Sequence, residues 1–379
     1  MIGQTVRLER ASSMRRVLSL LMLSALLTSA NTACDRSSPP TEAESANVAY
    51  PPWRPHYVRP GVIDIHGHIS PDGIGLLARS MNANGIEVMV NLSGDARPTG
   101  ASPDSGPVPF FSLDWRRRNQ PGFGQAMAEA LDGAVRTRGF RGCKIPKVLG
   151  LYAKDAEGRR IPVDWVELDP VWEKAAELGV PVAIHTADPK AFWLPPTPDN
   201  ERYDELALHP QWSFHGHQWP DRMALLDELE RVFAKHPKTT FISVHFGNNA
   251  EELEYVDRIL DTYPNVYIDT AARLGEIGRH PADKVRALFI EHADRILFGT
   301  DIGLSARGIM LGSTGREVPT EADIKPFYEA HWRFFEGDER GIPHPTPIQG
   351  RWTIDAINLP DDVLLKLYRD NARRVLKLP

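Results

Sequence analysis

Four short segments, each closing an apolar β-type run, hold residue types that bind metals: Asp64-Ile65-His66-Gly67-His68, Ile184-His185, Val244-His245 and Thr300-Asp301. In an extended strand, residues i and i+2 share a face, so His66 and His68 can present both imidazoles to one ion. A single histidine at the end of an apolar run is ordinarily a satisfied core residue. His185 and His245 both occupy such a position, and together with the pair and Asp301 they point to one convergent centre. Asp301 supplies the carboxylate such a centre needs, as anionic ligand and as acceptor of a water proton.

Other residues bear on the same centre. Lys144, in Gly142-Cys143-Lys144-Ile145-Pro146, ends another apolar run. Three roles are open to it: a carbamylated ligand between two ions, a free cation facing substrate, or a structural residue. Arg273 follows Asp269-Thr270-Ala271-Ala272 and can clamp a substrate carboxylate through its planar fork, or pair with Glu276. Asp64 shares the parity of His66 and His68 and is read as an orienter of the ligands or as a buried structural carboxylate. A second pair, His215-Gly216-His217, follows no strand-like run and is read as a loop feature. Trp193, Trp212, Phe214 and Trp219 surround it and are read either as a pocket for a planar acid, with Trp219 touching substrate, or as the core of a lid.

Rigid elements must bring these residues to one place. Apolar runs at 62–65, 86–91, 108–113, 140–145, 180–184, 239–244, 266–269 and 295–299 alternate with amphipathic stretches. No Asn-Gly hairpin signal joins neighbouring runs. Parallel strands need crossovers, and eight units fit an α/β (β/α)8 TIM barrel better than an open doubly wound sheet, the alternative. In a barrel every strand ends at the same rim, where active sites sit. The segment 94–107 is rich in Gly, Pro, Ser and Asp, so the helix between the second and third runs is expected to be missing. Long loops are expected at 186–219 and 302–358, after the fifth and eighth strands.

The chain has 379 residues, 25% of them charged, and a net charge of -6, which argues against nucleic acid as a partner. Met14-Arg15-Arg16 precedes the apolar stretch 17–27 and a small-residue exit at Ala33-Cys34. This reads as a secretory signal peptide over 1–34, with Cys34 a candidate lipidation site tethering the protein to a membrane. A polar tether over 35–52 and a barrel domain over 53–379 follow, and the protein is expected to be periplasmic or membrane-anchored. With Cys143 the only other cysteine, no intrachain disulfide is expected.

Taken together, the chain resembles the amidohydrolase superfamily, in the branch of amidohydrolase-related proteins that includes metal-dependent hydrolases and non-oxidative decarboxylases. The resemblance runs from Gly61 to Leu378. It rests on 64–68, the run 236–248 ending Val244-His245-Phe246-Gly247-Asn248, the segment 296–301, Leu359-Pro360-Asp361-Asp362-Val363 and Tyr368-Arg369-Asp370-Asn371-Ala372. It implies a single divalent ion, zinc or manganese, held by His66, His68, His185 and Asp301, with His245 beside it as a catalytic residue. The implied reaction is attack of metal-activated water on an ester, lactone or amide of a small substrate, with Asp301 moving the proton. Decarboxylation of an aromatic acid on the same ligands is the alternative, and an inactive binding lipoprotein a third reading.

Overall fold

Short β-branched runs buried on both faces form the strands, because a parallel sheet covered by helices leaves neither face to water. In the computed structural model, residues 57–97 and 106–379 are described. The expected signal peptide with Cys34, and the tether over 35–52, lie outside the described residues. The strands are β1 (Val62–Ile69), β2 (Ile86–Asn91), β3 (Val108–Ser112), β4 (Gly142–Ile145), β5 (Val182–Ile184), β6 (Phe241–Ser243), β7 (Val266–Asp269) and β8 (Ile296–Leu297). They pair in sequence order, all in parallel.

Crossover helices separate most of them: α1 (Ile74–Asn84), α2 (Phe123–Arg138), α3 (Asp169–Leu178), α4 (Arg222–Lys235), α5 (Leu253–Thr262) and α6 (Ala282–Glu291). Local chemistry sets their ends. Pro170 lies in the first turn of α3, where its missing N–H costs nothing, and Gly179 stops that helix in a left-handed conformation. The Asp221 carboxylate caps α4 by accepting from the Met223 and Ala224 amides. Among the described residues no helix lies between β2 and β3.

Beyond β8 the chain continues as β9 (Ile302–Ser305), which lies parallel to β1 on the side away from β2. Two backbone bonds fill the interval: Ile65 donates to the Phe298 carbonyl at 3.0 Å, and Asp301 to the His66 carbonyl at 2.9 Å. The last strand run therefore returns to the first. The result is a mixed α/β fold with a curled parallel sheet, consistent with a TIM barrel. Ile63, Ile65, Val90, Phe110, Ile242 and Leu297 form one apolar cluster, joined by Ala372, Val375 and Leu376 of the C-terminal helical segment. Larger clusters fill the space between strands and helices.

The segment 302–358 is more than a loop. β9 and β10 (Gly308–Leu311) form a hairpin, and α7 (Glu321–Glu336) follows, opened by a reciprocal capping box between Thr320 and Asp323. The hairpin turns on Ala306-Arg307, which carries none of the residues that usually mark a two-residue turn. Tyr328 and Trp332 of α7 are buried in the main core, so this excursion is structural.

Candidate metal centre

His66 and His68 end β1, but they do not share their surroundings with Asp64. Between Asp64 and Gly67, β1 carries one residue more than β2, and such a bulge re-aims side chains. The Asp64 carboxylate accepts from Thr300 Oγ1 at 2.6 Å, Tyr328 Oη at 2.9 Å, and the amides of His66 and Thr300. It touches neither imidazole ring. Asp64 instead fixes Thr300, the neighbour of Asp301, against α7. Burial pushes its pKa up to about 6 despite these four bonds.

Three histidines are held by Nδ1. His66 Nδ1 lies 2.8 Å from Asp269 Oδ2, His68 Nδ1 lies 2.7 Å from Ser93 Oγ, and His245 Nδ1 donates to the Ala271 carbonyl at 2.9 Å. Burial lowers the pKa of both His66 and His245, which favours the neutral rings, and a neutral ring with its hydrogen on Nδ1 leaves its Nε2 lone pair free. His185 is held the other way round: its Nε2 meets Asp188 Oδ1 at 3.1 Å. Its ring lies edge-on to that of His245, with centroids 4.4 Å apart, and burial pulls its pKa down to about 4.

The backbone that carries these groups is unusual. His245, Phe246, Gly247 and Asn248 all have positive φ, at 55°, 56°, 73° and 59°, and so do Ala272 at 55° and Asp301 at 64°. A left-handed conformation costs roughly 1–2 kcal/mol for each non-glycine residue. At 245–248 specific bonds offset it. The His245 amide donates to Asp269 Oδ1 at 2.7 Å, and the Asn248 amide to the Val244 carbonyl at 2.9 Å. The Asn248 side chain accepts from the Thr186 amide at 2.9 Å and donates to Ser243 Oγ at 2.9 Å. Arg222 ties the same turn to the loop after β5, donating to the Asp188 and Asn248 carbonyls.

The ligand atoms of His66, His68 and Asp301 lie within 4.8 Å of one another. Asp301 Oδ1 is 3.6 Å from His66 Nε2 and 3.2 Å from His68 Nε2. Three buried polar atoms at this rim have no hydrogen-bond partner: His66 Nε2, Asp301 Oδ1 and Lys144 Nζ. Burial opposes ionisation of Asp301, but positive charge on His66, the contact with His68 and the Arg273 guanidinium outweigh it and bring its pKa to about 2. When His66 is neutral with its hydrogen on Nδ1, its Nε2 lone pair faces the carboxylate oxygen with no proton between them. Such a pair is left without a partner by protein groups and is satisfied by a cation, so the residues present fit a divalent ion. His185 is not in this group of converging atoms.

Lys144, at the end of β4, is 6% exposed, and burial lowers its pKa to about 8 against the pull of Asp269 and Asp301. Arg273 is buried and donates to the Ala272 carbonyl; Glu276 pairs with Arg202 and not with Arg273. Both cations therefore lie near the centre without a carboxylate in salt-bridge contact among the described residues.

The aromatic residues of 186–219 pack on one another. Phe214 is buried, with ring centroids 4.6 Å from Trp193 and 5.0 Å from Trp219, and Trp219 also meets Tyr152. Such contacts are what the core of a lid requires, and Trp219 at its edge is partly exposed. Lys147 lies over Trp212 and Phe214 and pairs with Asp188, which joins the lid to His185. His215, Gly216 and His217 are exposed.

Asp269, Asp188 and Ser93 were not singled out from the sequence. Asp269 closes the apolar run Val266–Asp269 just as His185 and Asp301 close theirs, so the same signal was present. Asp188 and Ser93 sit in loops, where nothing in the local pattern marks them.

A curled parallel sheet carrying histidines and an aspartate at one rim defines an α/β protein with a candidate metal centre at its strand ends. A sequence profile of the amidohydrolase family, Amidohydro_2, matches residues 114–378, and the chain belongs to that family. The match takes in His185, His245 and Asp301 and begins after the His66/His68 pair. No curated protein matches the chain.

Among solved structures, 2,6-dihydroxybenzoate decarboxylase from Rhizobium is 18% identical, with 84% of this chain and 99% of that one covered and a TM-score of 0.46. A dihydroxybenzoic acid decarboxylase from Polaromonas, solved with bound manganese and 2-nitroresorcinol, is 16% identical over 84% and 98%, with a TM-score of 0.44. A 4-oxalomesaconate hydratase from Rhodopseudomonas palustris is 14% identical over 84% and 96%, with a TM-score of 0.43.

Proposed function

We propose that the protein is a metal-dependent hydrolase of (β/α)8 barrel fold that cleaves an ester, lactone or amide bond in a small carboxylated substrate. The observation that carries the reading is the convergence of His66, His68 and Asp301, with His66 Nε2 and Asp301 Oδ1 buried 3.6 Å apart and unpartnered. In this reading His66, His68 and Asp301 hold one divalent ion, zinc or manganese, and His185, which lies outside that converging group, would join as fourth ligand through Nδ1, the nitrogen that Asp188 leaves free. When bound, the ion supplies Lewis-acid polarisation of a carbonyl and lowers the pKa of water. Asp301 is the base that takes the water proton and returns it to the leaving group. His245 has committed its Nδ1–H to the Ala271 carbonyl, so its Nε2 donates to an oxyanion only after accepting a proton.

Lys144 and Arg273 bind the substrate carboxylate in this reading. A hydrogen bond to a charged group contributes roughly 1.5–3 kcal/mol. Lys144→Met is therefore expected to raise KM for a carboxylated substrate about 10- to 100-fold, with a smaller change for its neutral amide analogue. Equal changes for both substrates would remove Lys144 from carboxylate recognition.

The two cations also favour a second reading, decarboxylation of an aromatic acid. That reaction requires Asp301 to deliver its proton to carbon, where hydrolysis requires it to deliver one to the leaving group. Turnover in ¹⁸O-water separates the two. One ¹⁸O in the product acid without CO₂ release is expected; CO₂ release with no label would replace hydrolysis by decarboxylation, and ion binding without any turnover would leave a binding protein.

We further propose that the chain is exported and tethered through lipidated Cys34, so that its substrate is met outside the cytoplasm. Labelling with a palmitate analogue, abolished by Cys34→Ser, is the expected result; equal labelling of both proteins would refute the tether.

A further inference from the structure

Asp269 takes no part in the chemistry proposed above, yet it binds three groups from three places in the chain. It is 1% exposed, at the end of β7. Oδ1 accepts the amides of His245 at 2.7 Å and Ala271 at 3.2 Å, and Oδ2 lies 2.8 Å from His66 Nδ1. The two backbone bonds share one oxygen and so fix the rotation of the carboxylate, which aims the other oxygen at the ring. A carboxylate has no proton to give, so the hydrogen of a neutral His66 lies on Nδ1. The lone pair is then on Nε2, the buried atom that faces Asp301 Oδ1.

We infer that Asp269 is a positioning residue that sets the tautomer of His66, keeping Nε2 unprotonated toward the ion, while its other oxygen holds His245 in the left-handed turn. The role toward the ion rests on the metal-centre reading above; the tautomer does not.

Asp269→Asn tests this with almost no change of shape. The side-chain oxygen still accepts from His245 and Ala271, and the amide group that replaces Oδ2 donates to His66 Nδ1. That ring must then carry its hydrogen on Nε2, where it cannot be a ligand.

The measurement uses metal-free protein labelled with ¹⁵N-histidine. Two-bond ¹⁵N–¹H spectra are recorded at pH 8, and the His66 signal is assigned by its loss in His66→Gln. Wild type is expected to show Nδ1–H and D269N to show Nε2–H. Competition with a chromophoric chelator is expected to give a Zn²⁺ affinity about 10- to 100-fold lower in D269N, at a thermal midpoint near that of wild type.

Three results would overturn the inference. The first is a wild-type His66 already carrying Nε2–H, which is read in the wild-type protein and does not depend on D269N folding. The second is an unchanged tautomer in D269N with Zn²⁺ affinity lost, which would make Asp269 itself a ligand, as its proximity to His66 and His245 allows. The third is an undiminished affinity in D269N. A wild type that shows Nδ1–H but binds no Zn²⁺ would refute the metal-dependent function and leave the tautomer assignment supported.

Discussion

Asp301→Asn is expected to leave a folded protein whose kcat/KM is lower by about 10²–10⁴, the range for loss of a positioned general base. Asparagine has the same shape and tolerates a left-handed backbone, so the φ of 64° at this position is no obstacle to folding. What disappears is the charge. The carboxylate becomes an amide that cannot take a proton. Metal content and activity must be read on the same samples, since Asp301 is also a proposed ligand. A variant that keeps its ion and more than a tenth of its activity would transfer the base role to His245, whose free Nε2 is the next acceptor at the site.

Arg202→Ala has the largest expected effect on stability. The Arg202 guanidinium is fully buried, donates to Glu205 Oε2 at 2.8 Å and pairs with Glu276 Oε1. Glu205 in turn accepts from Ser313 Oγ. This network joins the loop after β5, the turn after β7 and the segment that follows β10. Removing the arginine leaves two carboxylates buried beside each other without their cation, which costs about 3–5 kcal/mol. In a domain of this size that lowers the thermal midpoint by roughly 5–10 °C. Arg202→Lys is expected to recover only part of the loss, because a point charge cannot serve two carboxylates from fixed directions. A midpoint within a degree or two of wild type would mean that the loops are held by their apolar contacts alone.

The eight strand–helix alternations were legible because each buried parallel strand is a run of apolar residues with a helical period after it. Strand ends were less so. The apolar run 239–244 extends past β6 because the chain leaves the sheet at Val244, just before the left-handed turn at 245–248, a backbone state that hydrophobicity does not encode. The hairpin in 302–311 was invisible for the same kind of reason: Ala306-Arg307 has no turn signature. At the centre, the convergence of His66, His68 and Asp301 followed from their places at strand ends. The ring orientation of His185 did not, since it depends on Asp188, three residues on in a loop. The bulge in β1 broke the parity argument for Asp64, because strand alternation holds only while the register is unbroken.

The left-handed turn at 245–248 also shapes which sequences this fold tolerates. It is a short stretch of mirror-image helix, which β-branched side chains cannot enter without severe strain. Phe246 stacks on Phe289 of α6, with centroids 5.7 Å apart, and has no part in the proposed chemistry. In a library of variants selected for folding alone, position 246 should therefore still exclude valine, isoleucine and threonine. Position 248 should accept little besides glycine, asparagine and aspartate. Intolerance to substitution along this stretch would thus record the handedness of the chain as much as the demands of the reaction.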